Sequence, residues 1–324
     1  VIDESINTYT TQTVDALSLV DHKTIHNDYA NDIAARRGNA SHSIVTKYSL
    51  LTEDNSTLID RTVSDTSVFD NRGNALNQTR DSFVFSPAGD PIKTTHAVIT
   101  TLTTDYNNRG DAGSQTIDTY LIDGAASTLT THELFTNRSF DSSHNVVNQK
   151  VVTFADLAGV TFLDAREIRS SGFHSSGVAE NQTIVTYSDQ RMRAEDIIDA
   201  KVIVNLGSSI SASGNIADTT IITYSKAAVD TSASGLITVN DTDQLTKEVI
   251  HNTQFDKYGN TINQTIAAYK TDGTGSNIAL VSYQVIENRQ FDIHHNILDR
   301  RVSAYADLNM TKPVSVSEIR NNLF

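Results

Sequence analysis

The fold is decided by a fifteen-residue stretch, FDKYGNTINQTIAAY, which runs from Phe255 to Tyr269. It has an Asp and a Gly near its start, an aromatic residue at each end, and strand-forming residues after the Gly. The Asp and the Gly three residues later indicate a type I turn, because the Asp side chain accepts from nearby backbone N–H groups and Gly tolerates a left-handed conformation. Such a turn closes a β-hairpin.

The residues on both sides of this turn predict two strands. Leu245 to Phe255 and Thr261 to Thr271 are rich in β-branched residues and contain no Pro. Neither face of the second strand is purely apolar, and a hairpin this polar is only marginally stable alone. We therefore expect successive hairpins to stack, so that Ile and Tyr form apolar ribs and Asn–Gln pairs form amide ladders.

Variants of this stretch occur eight times along the chain. Every copy ends on Tyr or Phe, although aromatic residues make up only 7% of the sequence. The copies start between 33 and 45 residues apart, and a period in this range is typical of a repeat architecture. The first residues of the copies are Ala34, Phe69, Tyr106, Phe140, Phe173, Ile210, Phe255 and Phe291.

The sequence therefore predicts an all-β fold of about nine tandem antiparallel β-hairpins, forming a continuous sheet, solenoid or tube. Residues 1–324 are expected to form a single repeat-array domain, with hairpin tips near residues 38, 73, 110, 144, 177, 214, 259 and 295. The longest spacing, 45 residues, locates an insertion between Lys226 and Gln244. Ser188 to Ala200 is the one stretch whose composition favours a helical turn.

The amino-acid composition restricts the kinds of partner that the chain is expected to bind. The net charge of −14, without a cluster of Lys or Arg, argues against nucleic-acid binding. No run reaches the roughly 18 apolar residues of a membrane helix, and strand faces that mix Asn and Gln do not suit lipid, so we expect no membrane insertion. The absence of Cys excludes disulfides, and together with abundant Thr, Ser, Asn and Gln it suits an extracellular or cell-surface β protein.

The two ends of the sequence resemble two halves of one copy. Val1 to Thr11 matches the trailing half, and Val314 to Phe324 matches the leading half. Three explanations are open: an excerpt of a longer array, strand pairing between neighbouring copies in a filament, or closure of a ring within one chain. Because an unpaired edge strand is prone to aggregation, we expect these strands to pair with copies of the chain or with adjacent repeats of a longer chain.

The polar residues at the tips predict structure rather than chemistry. Each Asp at the start of a tip is expected to cap the turn, although an oxygen-rich turn also suits Ca²⁺. His294 and His295 fall at a tip and are expected at the surface. No H-E-x-x-H, G-x-S-x-G or Walker motif occurs, so we predict no enzyme and no catalytic, cofactor-binding or metal-binding residues. The expected capping pairs combine Asp70, Asp141, Asp256 and Asp292 with Asn74, Asn145, Asn260 and Asn296.

Five glutamates recur at similar places in the strand before a tip. We expect them to pair across strands with Arg, because nothing singles out the two unequal carboxylates that a glycosidase needs. The glutamates are Glu133, Glu167, Glu248, Glu287 and Glu318, and the candidate partners are Arg138, Arg169, Arg289 and Arg320.

The tips resemble the tyrosine-aspartate (YD, or Rhs) repeats, whose hairpins carry a Y-D-x-x-G tip. FDNRGN from Phe69, FDKYGN from Phe255 and YNNRGD from Tyr106 are the most similar copies. The period here is longer than in that family, and the family's usual Arg-Leu after the Gly is replaced by Asn. The resemblance implies a secreted or surface-exposed β scaffold, and no family catalytic residue maps onto this chain.

These observations predict a self-assembling structural building block of an extracellular filament, sheath or surface stalk, without catalytic activity. The alternative is a surface adhesin or carbohydrate-binding module, in which loops between hairpins, such as Ser188 to Ala200, recognise a glycan. Regular fibres would favour the building block, and monomers that bind glycans would favour the adhesin.

Overall fold

The computed structural model describes residues 2–9, 19–86, 88–271 and 278–321. The chain is all-β, and 18 of its strands belong to one antiparallel sheet in hairpin-like succession, which confirms the predicted repeat fold. It divides into two compact units, Val1–His144 with Gln149–Asp164, and Asn145–Asn148 with Ala165–Phe324. The expectations for Val1, Thr10, Thr11 and Phe324 lie outside the described residues.

The first unit contains strands that pair in the order of the sequence. From β1 to β8 each strand runs antiparallel to the one before it. A short 3-10 helix, Thr103–Asp105, follows β6. The elements up to β9 are β1 (Asp3–Tyr9), β2 (Leu19–Asp28), α1 (Asp32–Arg37), β3 (His42–Tyr48), β4 (Leu58–Phe69), β5 (Ala75–Phe85), β6 (Pro91–Thr100), β7 (Ser114–Asp123), β8 (Ala126–Phe140) and β9 (Val146–Phe154).

The second unit continues the same pattern and adds a separate two-stranded ribbon. β14 and β15 pair only with each other in the described chain, and they form the insertion predicted between Lys226 and Gln244. The strands are β10 (Phe162–Phe173), β11 (Ala179–Tyr187), β12 (Ile197–Asn205), β13 (Asp218–Tyr224), β14 (Ala228–Val229), β15 (Ile237–Thr238), β16 (Gln244–Phe255), β17 (Thr261–Thr271), β18 (Ile278–Phe291), β19 (Ile297–Tyr305) and β20 (Pro313–Arg320). Three 3-10 helices are Ala194–Asp196, Gly207–Ser209 and Asp241–Asp243.

All eight predicted tips lie between consecutive strands, but the tip near residue 38 differs from the others because it contains a helix. In the first copy, α1 replaces the predicted type I turn and the end of the strand before it. The Asn31 side chain caps the helix by accepting from the N–H groups of Ile33 and Ala34. Gly38 ends it with φ = 75°, a left-handed conformation that Gly adopts readily. These local signals outweigh the repeat pattern. The helical turn predicted in Ser188 to Ala200 is one 3-10 turn, Ala194–Asp196.

Each strand presents two different sets of side chains because successive residues point to opposite faces. In β17 the closing Tyr269 shares a face with Thr265 and Ala267, whereas Gln264 and Ile266 lie on the other. We call the first the tyrosine face and the second the amide face, and we apply these names strand by strand to the equivalent residues of the other copies.

Most strand residues are half-buried, so cross-strand pairs rather than a deep core hold the sheet. Among the described residues only 13 apolar side chains are buried. The accessible surface of 17718 Å² exceeds the roughly 13,000 Å² expected of a compact monomer of this mass. One apolar pair on the amide face joins Ile250 and Ile266 within one hairpin, whereas the sequence predicted ribs between like residues of successive repeats.

The ribbon of β14 and β15 covers part of the tyrosine face of the second unit. Arg169 of β10 donates from Nε to the carbonyl of Gly235 and from Nη2 to that of Asp230, both at 2.7 Å. Asn148 donates from Nδ2 to the carbonyl of Ser232 at 2.9 Å. Three residues on the same face of β10 to β12 have no exposed surface: Ala165, Val185 and Ala200.

Candidate assembly interface

The Asp residues at the tips cap their turns, as predicted. Asp70 Oδ1 accepts from the backbone N–H groups of Arg72 (2.8 Å) and Asn74 (2.9 Å), and Oδ2 accepts from Asn74 Nδ2 (2.9 Å). The Asp256–Asn260 and Asp292–Asn296 pairs repeat these contacts. Asp141 accepts from the N–H of Ser143. The tips are therefore rigid and locally specified.

One tip exchanges the two residue types and keeps the geometry. Asn107 Oδ1 accepts from the N–H groups of Arg109 and Asp111, and Asn107 Nδ2 donates to the Asp111 carboxylate at 2.8 Å. Burial of the Asp111 carboxyl group raises its pKa, but hydrogen bonds from Asn107, His144 and Arg109 outweigh that effect and lower the pKa to about 2. The capping function thus depends on one carboxylate and one amide, in either order.

Within each unit, successive tips contact one another. Arg72 Nη1 donates to the carbonyl of Asn107 at 3.0 Å, and Arg109 Nη2 donates to that of Asp141 at 2.7 Å. A Cβ atom on Gly110 would lie 3.1 Å from Asn74 Oδ1, so the Gly also makes room for the preceding tip. The tips are therefore part of the packing between repeats.

Side-chain amides connect each hairpin to its neighbours on the amide face. Asn252 of β16 donates from Nδ2 to the carbonyl of Ile216 (2.8 Å), and its Oδ1 accepts from Gln264 Nε2 of β17 (2.7 Å). We call this arrangement a rung. The Asn137–Gln149 and Asn205–Thr219 pairs form equivalent rungs, and Ser or Thr replaces Asn in Thr66–Gln78, Thr101–Gln115 and Ser170–Gln182.

The rungs differ from the predicted ladder in one respect. The sequence predicts contacts between like residues of successive repeats, whereas each Gln bonds the Asn, Thr or Ser of the strand before it in the same hairpin. The Asn then bonds backward to the previous tip, as Asn288 does to the carbonyl of Thr261 and Asn321 to that of Ile297. The link between repeats is therefore side chain to backbone.

One rung is incomplete. Asn288 of β18 faces Arg300 of β19, where other copies have Gln or Thr. Asn288 Oδ1 and Arg300 Nε are both buried and have no hydrogen-bond partner among the described residues. A buried polar atom without a partner costs about 1–3 kcal/mol. The residue opposite the Asn therefore decides whether a rung stabilises the sheet.

Five of the histidines pair with Asp across neighbouring strands, all on the tyrosine face. Each Nδ1–Oδ1 distance is 2.5–2.6 Å. These pairs were not predicted from the sequence, although some copies have an Asp two residues before the closing aromatic residue, such as Asp81 and Asp118, that could have indicated them. The pairs are Asp3–His26, His42–Asp65, Asp81–His96, Asp118–His132 and Asp218–His251.

Some of these histidines also stack on an aromatic ring of the next strand. His96 bonds Asp81 on one side and lies 5.9 Å from the ring centre of Tyr120 on the other. His132 is placed in the same way between Asp118 and Phe154, at 6.1 Å. Each triad of acid, His and aromatic ring therefore connects three strands.

Three of the five predicted glutamates, Glu167, Glu287 and Glu318, are seen in ion pairs, but two of the pairs do not cross strands as predicted. Glu167 and Glu287 each contact the Arg two residues further along the same strand, Arg169 at 2.9 Å and Arg289 at 3.1 Å. Residues two apart share a strand face, which explains these contacts. Arg289 also bonds Glu318 of β20 at 2.7 Å, the predicted kind of pair. The hydrogen bonds that Arg289 donates to the carboxylates of Glu318 and Glu287 raise the pKa of Arg289.

The expected surface position of the adjacent histidines is confirmed. His294 is half-exposed and His295 is exposed, and the His295 ring lies 5.9 Å from that of Tyr258 in the preceding tip. In the described part of the chain, no group of three or more His, Asp or Glu residues is arranged to hold a metal ion. None of the described helices is long and apolar enough to cross a bilayer.

The two edge strands, β1 and β20, pair with their neighbours in the same registers as strands inside the sheet. We use the word joint for the pairing of two adjacent strands, such as β16 and β17. β20 pairs with β19 in the register that β16 has with β13, so that Arg320 takes the position of His251. β1 pairs with β2 in the register that β17 has with β18, so that Glu4 takes the position of Gln264. Among the described residues, β1 and β20 each have a sheet partner on one side only.

No protein-family model matches the chain, and a search of curated proteins found no match. The resemblance to tyrosine-aspartate repeats therefore stays a prediction.

Proposed function

We propose that this chain is a structural β-repeat building block of an extracellular filament, sheath or surface stalk, without catalytic activity. Its edge strands β1 and β20 pair with copies of the chain or with adjacent repeats of a longer chain. Each edge strand otherwise leaves a row of backbone N–H and C=O groups open to another strand. The proposed interface consists of β1 and β20.

The register of the two edges carries this proposal. If β20 takes the place of β16 and β1 of a second copy takes the place of β17, their pairing repeats a joint that the chain already contains. Such a contact uses a different surface on each copy, and it therefore propagates instead of stopping at a dimer.

The side chains at the two edges support the same pairing. In that register Ile319 faces Ile6, as Ile250 faces Ile266 inside the second unit. Val316 faces Tyr9, and the side chain of Val316 is 56% exposed before pairing. Cross-strand contacts of this kind contribute about 0.2–1 kcal/mol each. The joint would thus contain the same Ile–Ile contact as the internal hairpin.

Sedimentation and electron microscopy of the purified chain test the proposal. We expect concentration-dependent association at neutral pH and regular fibres at high concentration. Ile6→Lys places a charge in this Ile–Ile contact and is expected to prevent association. Ile33→Lys, at an exposed position of α1, is the matched control and should associate normally. Monomers of the unmodified chain at every concentration would contradict self-assembly.

A surface adhesin is the second candidate, and two similar loops favour it. ADLAGVT from Ala155 and ADLNMTK from Ala306 expose Leu157, Val160, Leu308 and Met310 to solvent. By contrast, the charges of the Ser188 to Ala200 loop are used internally, since Arg191 bonds Asp189 and lowers its pKa to about 2. A glycan array distinguishes the candidates: binding that is lost in Leu157→Ser would support the adhesin.

A further inference from the structure

The geometry points to a specific joint: β1 of a second copy docks on β20 in the register of β16 and β17, and Glu4 sets the strength of that joint. The inference rests on the proposed function, because it names the partner and the limiting residue of the same interface. It follows from the rungs of the amide face, most of which are complete inside the chain, whereas the rung of this joint is incomplete.

Internal rungs follow one rule. Asn137, Asn205 and Asn252 each donate from Nδ2 to a carbonyl of the previous tip, which turns Oδ1 toward the next strand. In each of these rungs the next strand supplies the donor, at 2.7 Å from Gln149, 2.9 Å from Thr219 and 2.7 Å from Gln264. A complete rung therefore needs an N–H or O–H group opposite the Asn.

Glu4 is the exception to this rule. It occupies the rung position of β1, because β1 and β2 reproduce the register of β17 and β18. The equivalent residue of every other trailing strand carries an N–H or O–H donor, whereas a glutamate carboxylate at neutral pH carries none. These donor residues are Ser43, Gln78, Gln115, Gln149, Gln182, Thr219, Gln264 and Arg300.

Glu4 lies at the proposed interface between the two copies. In the proposed register Glu4 faces Asn321, whose Nδ2 donates to the carbonyl of Ile297 at 2.9 Å as Asn252 Nδ2 does to that of Ile216, so that Asn321 Oδ1 is turned toward Glu4. Two acceptors, the Glu4 carboxylate and Asn321 Oδ1, then meet without a proton between them. On the same face, Lys23 opposite Ile6 is the nearest charged residue of β2, and the neighbouring residues of β20 are uncharged.

The chain contains an internal precedent for such a mismatch. At the incomplete rung, Asn288 Oδ1 is buried without a donor because Arg300 does not supply one. That rung is tolerated because the chain connects its two strands covalently through the tip. A joint between two copies has no such connection, so the same defect must appear as weaker association.

Association of the Glu4→Gln variant at neutral pH tests the role of Glu4. Gln restores the internal rung, and we expect its apparent dissociation constant to be at least tenfold lower than that of the unmodified chain. Glu195→Gln removes the same charge from an exposed loop and should change nothing. Equal association of Glu4→Gln and the unmodified chain would overturn the role of Glu4 alone. Failure of both to associate at any concentration would instead overturn the proposed function.

Disulfide trapping tests the register and the partner, because the chain has no Cys of its own. Chains carrying Ile6→Cys and chains carrying Ile319→Cys are mixed and oxidised, and covalent dimers should form at least tenfold faster than with Ser315→Cys, which lies four residues away on the same face. Equal rates would overturn the register. Rapid bridging within single chains that carry both Ile6→Cys and Ile319→Cys would show closure of one molecule and overturn the second copy as partner.

Discussion

The tyrosine face has a covered stretch in the second unit and an open stretch in the first, and the two are built from different residues at equivalent positions. In the open stretch, Asp81 lies two residues before the closing aromatic residue of its copy and faces His96, which in turn faces Tyr120. These three residues form a row across neighbouring strands. In the covered stretch, the equivalent row begins with Val185 and Ala200, which have no exposed surface. The same backbone thus accepts Asp and His at positions that are open to water and Val and Ala at the equivalent buried positions.

The difference between the two stretches shows how the ribbon stabilises the second unit. Two short strands bury little area themselves, but they satisfy Arg169 and close an apolar row beneath it. Hairpin repeats with few buried side chains gain little from the hydrophobic effect unless another layer covers them. The covered stretch is therefore the nearest equivalent of a hydrophobic core in this chain.

Removal of Arg169 is the largest expected perturbation of the covered stretch. Arg169→Ala breaks the hydrogen bonds that hold the ribbon and leaves the buried carboxylate of Glu167 without its cation. We expect the free energy of unfolding of the second unit to fall by about 3–5 kcal/mol. Hydrogen exchange in β10 to β12 at increasing urea concentrations measures this change.

The matched control is Arg289→Ala. Arg289 makes more ion pairs than Arg169, but its side chain is more exposed, and solvent screens such pairs. Equal loss of protection in Arg169→Ala and Arg289→Ala would mean that the ribbon does not create a separate core.

A smaller perturbation exchanges polarity between the two stretches. Val185→Thr keeps the shape but places a hydroxyl in the buried apolar row, which should destabilise the second unit by about 1–3 kcal/mol. Asp118→Val makes the opposite change in the open stretch and removes the bond to His132, with an expected cost of about 0.2–1 kcal/mol. Urea unfolding of both variants tests the order, and a larger effect of Asp118→Val would refute the distinction.

The repeat fold was predictable because its signals are local. The Asp and Gly of FDKYGN specify a turn through contacts within five residues, and β16 and β17 begin and end within one residue of their predicted bounds. The helix α1 was also predictable in principle. Asn31, Asp32 and Gly38 are local cap signals, and they were outweighed in the sequence analysis by the alignment of the copies.

Other features depend on register and on distant contacts, which a sequence pattern does not contain. Arg169 and Gly235 are 66 residues apart, and nothing near either residue indicates that they meet. The Asp–His pairs have separations between 14 and 33 residues, because loops of different length join the strands. Turn chemistry predicts where a hairpin closes, whereas the facing residues of two strands follow only once the register is known.

The smallest expected effect is a pH dependence of the open stretch at His26. The hydrogen bond to Asp3 raises the pKa of His26, desolvation opposes it, and the charge of Asp28 adds to the increase. A raised pKa means that the folded chain binds the proton more tightly than the unfolded chain. The added stability is therefore complete below the ordinary His value of about 6.5 and is lost as the pH rises through the folded-state pKa. Thermal unfolding between about pH 5 and pH 8 should show a slight loss of stability with rising pH.

His26→Gln is the control that isolates this pair. It keeps a hydrogen-bonding side chain opposite Asp3 but does not titrate, so the part of the pH dependence due to His26 should disappear. The covered stretch should keep the same hydrogen-exchange protection across this pH range, because β10 to β12 contain no histidine. If the hydrogen-exchange protection of β10 to β12 followed the titration of His26, the two stretches would not be independent. The distinction between the covered stretch and the open stretch of the tyrosine face would then have to be abandoned.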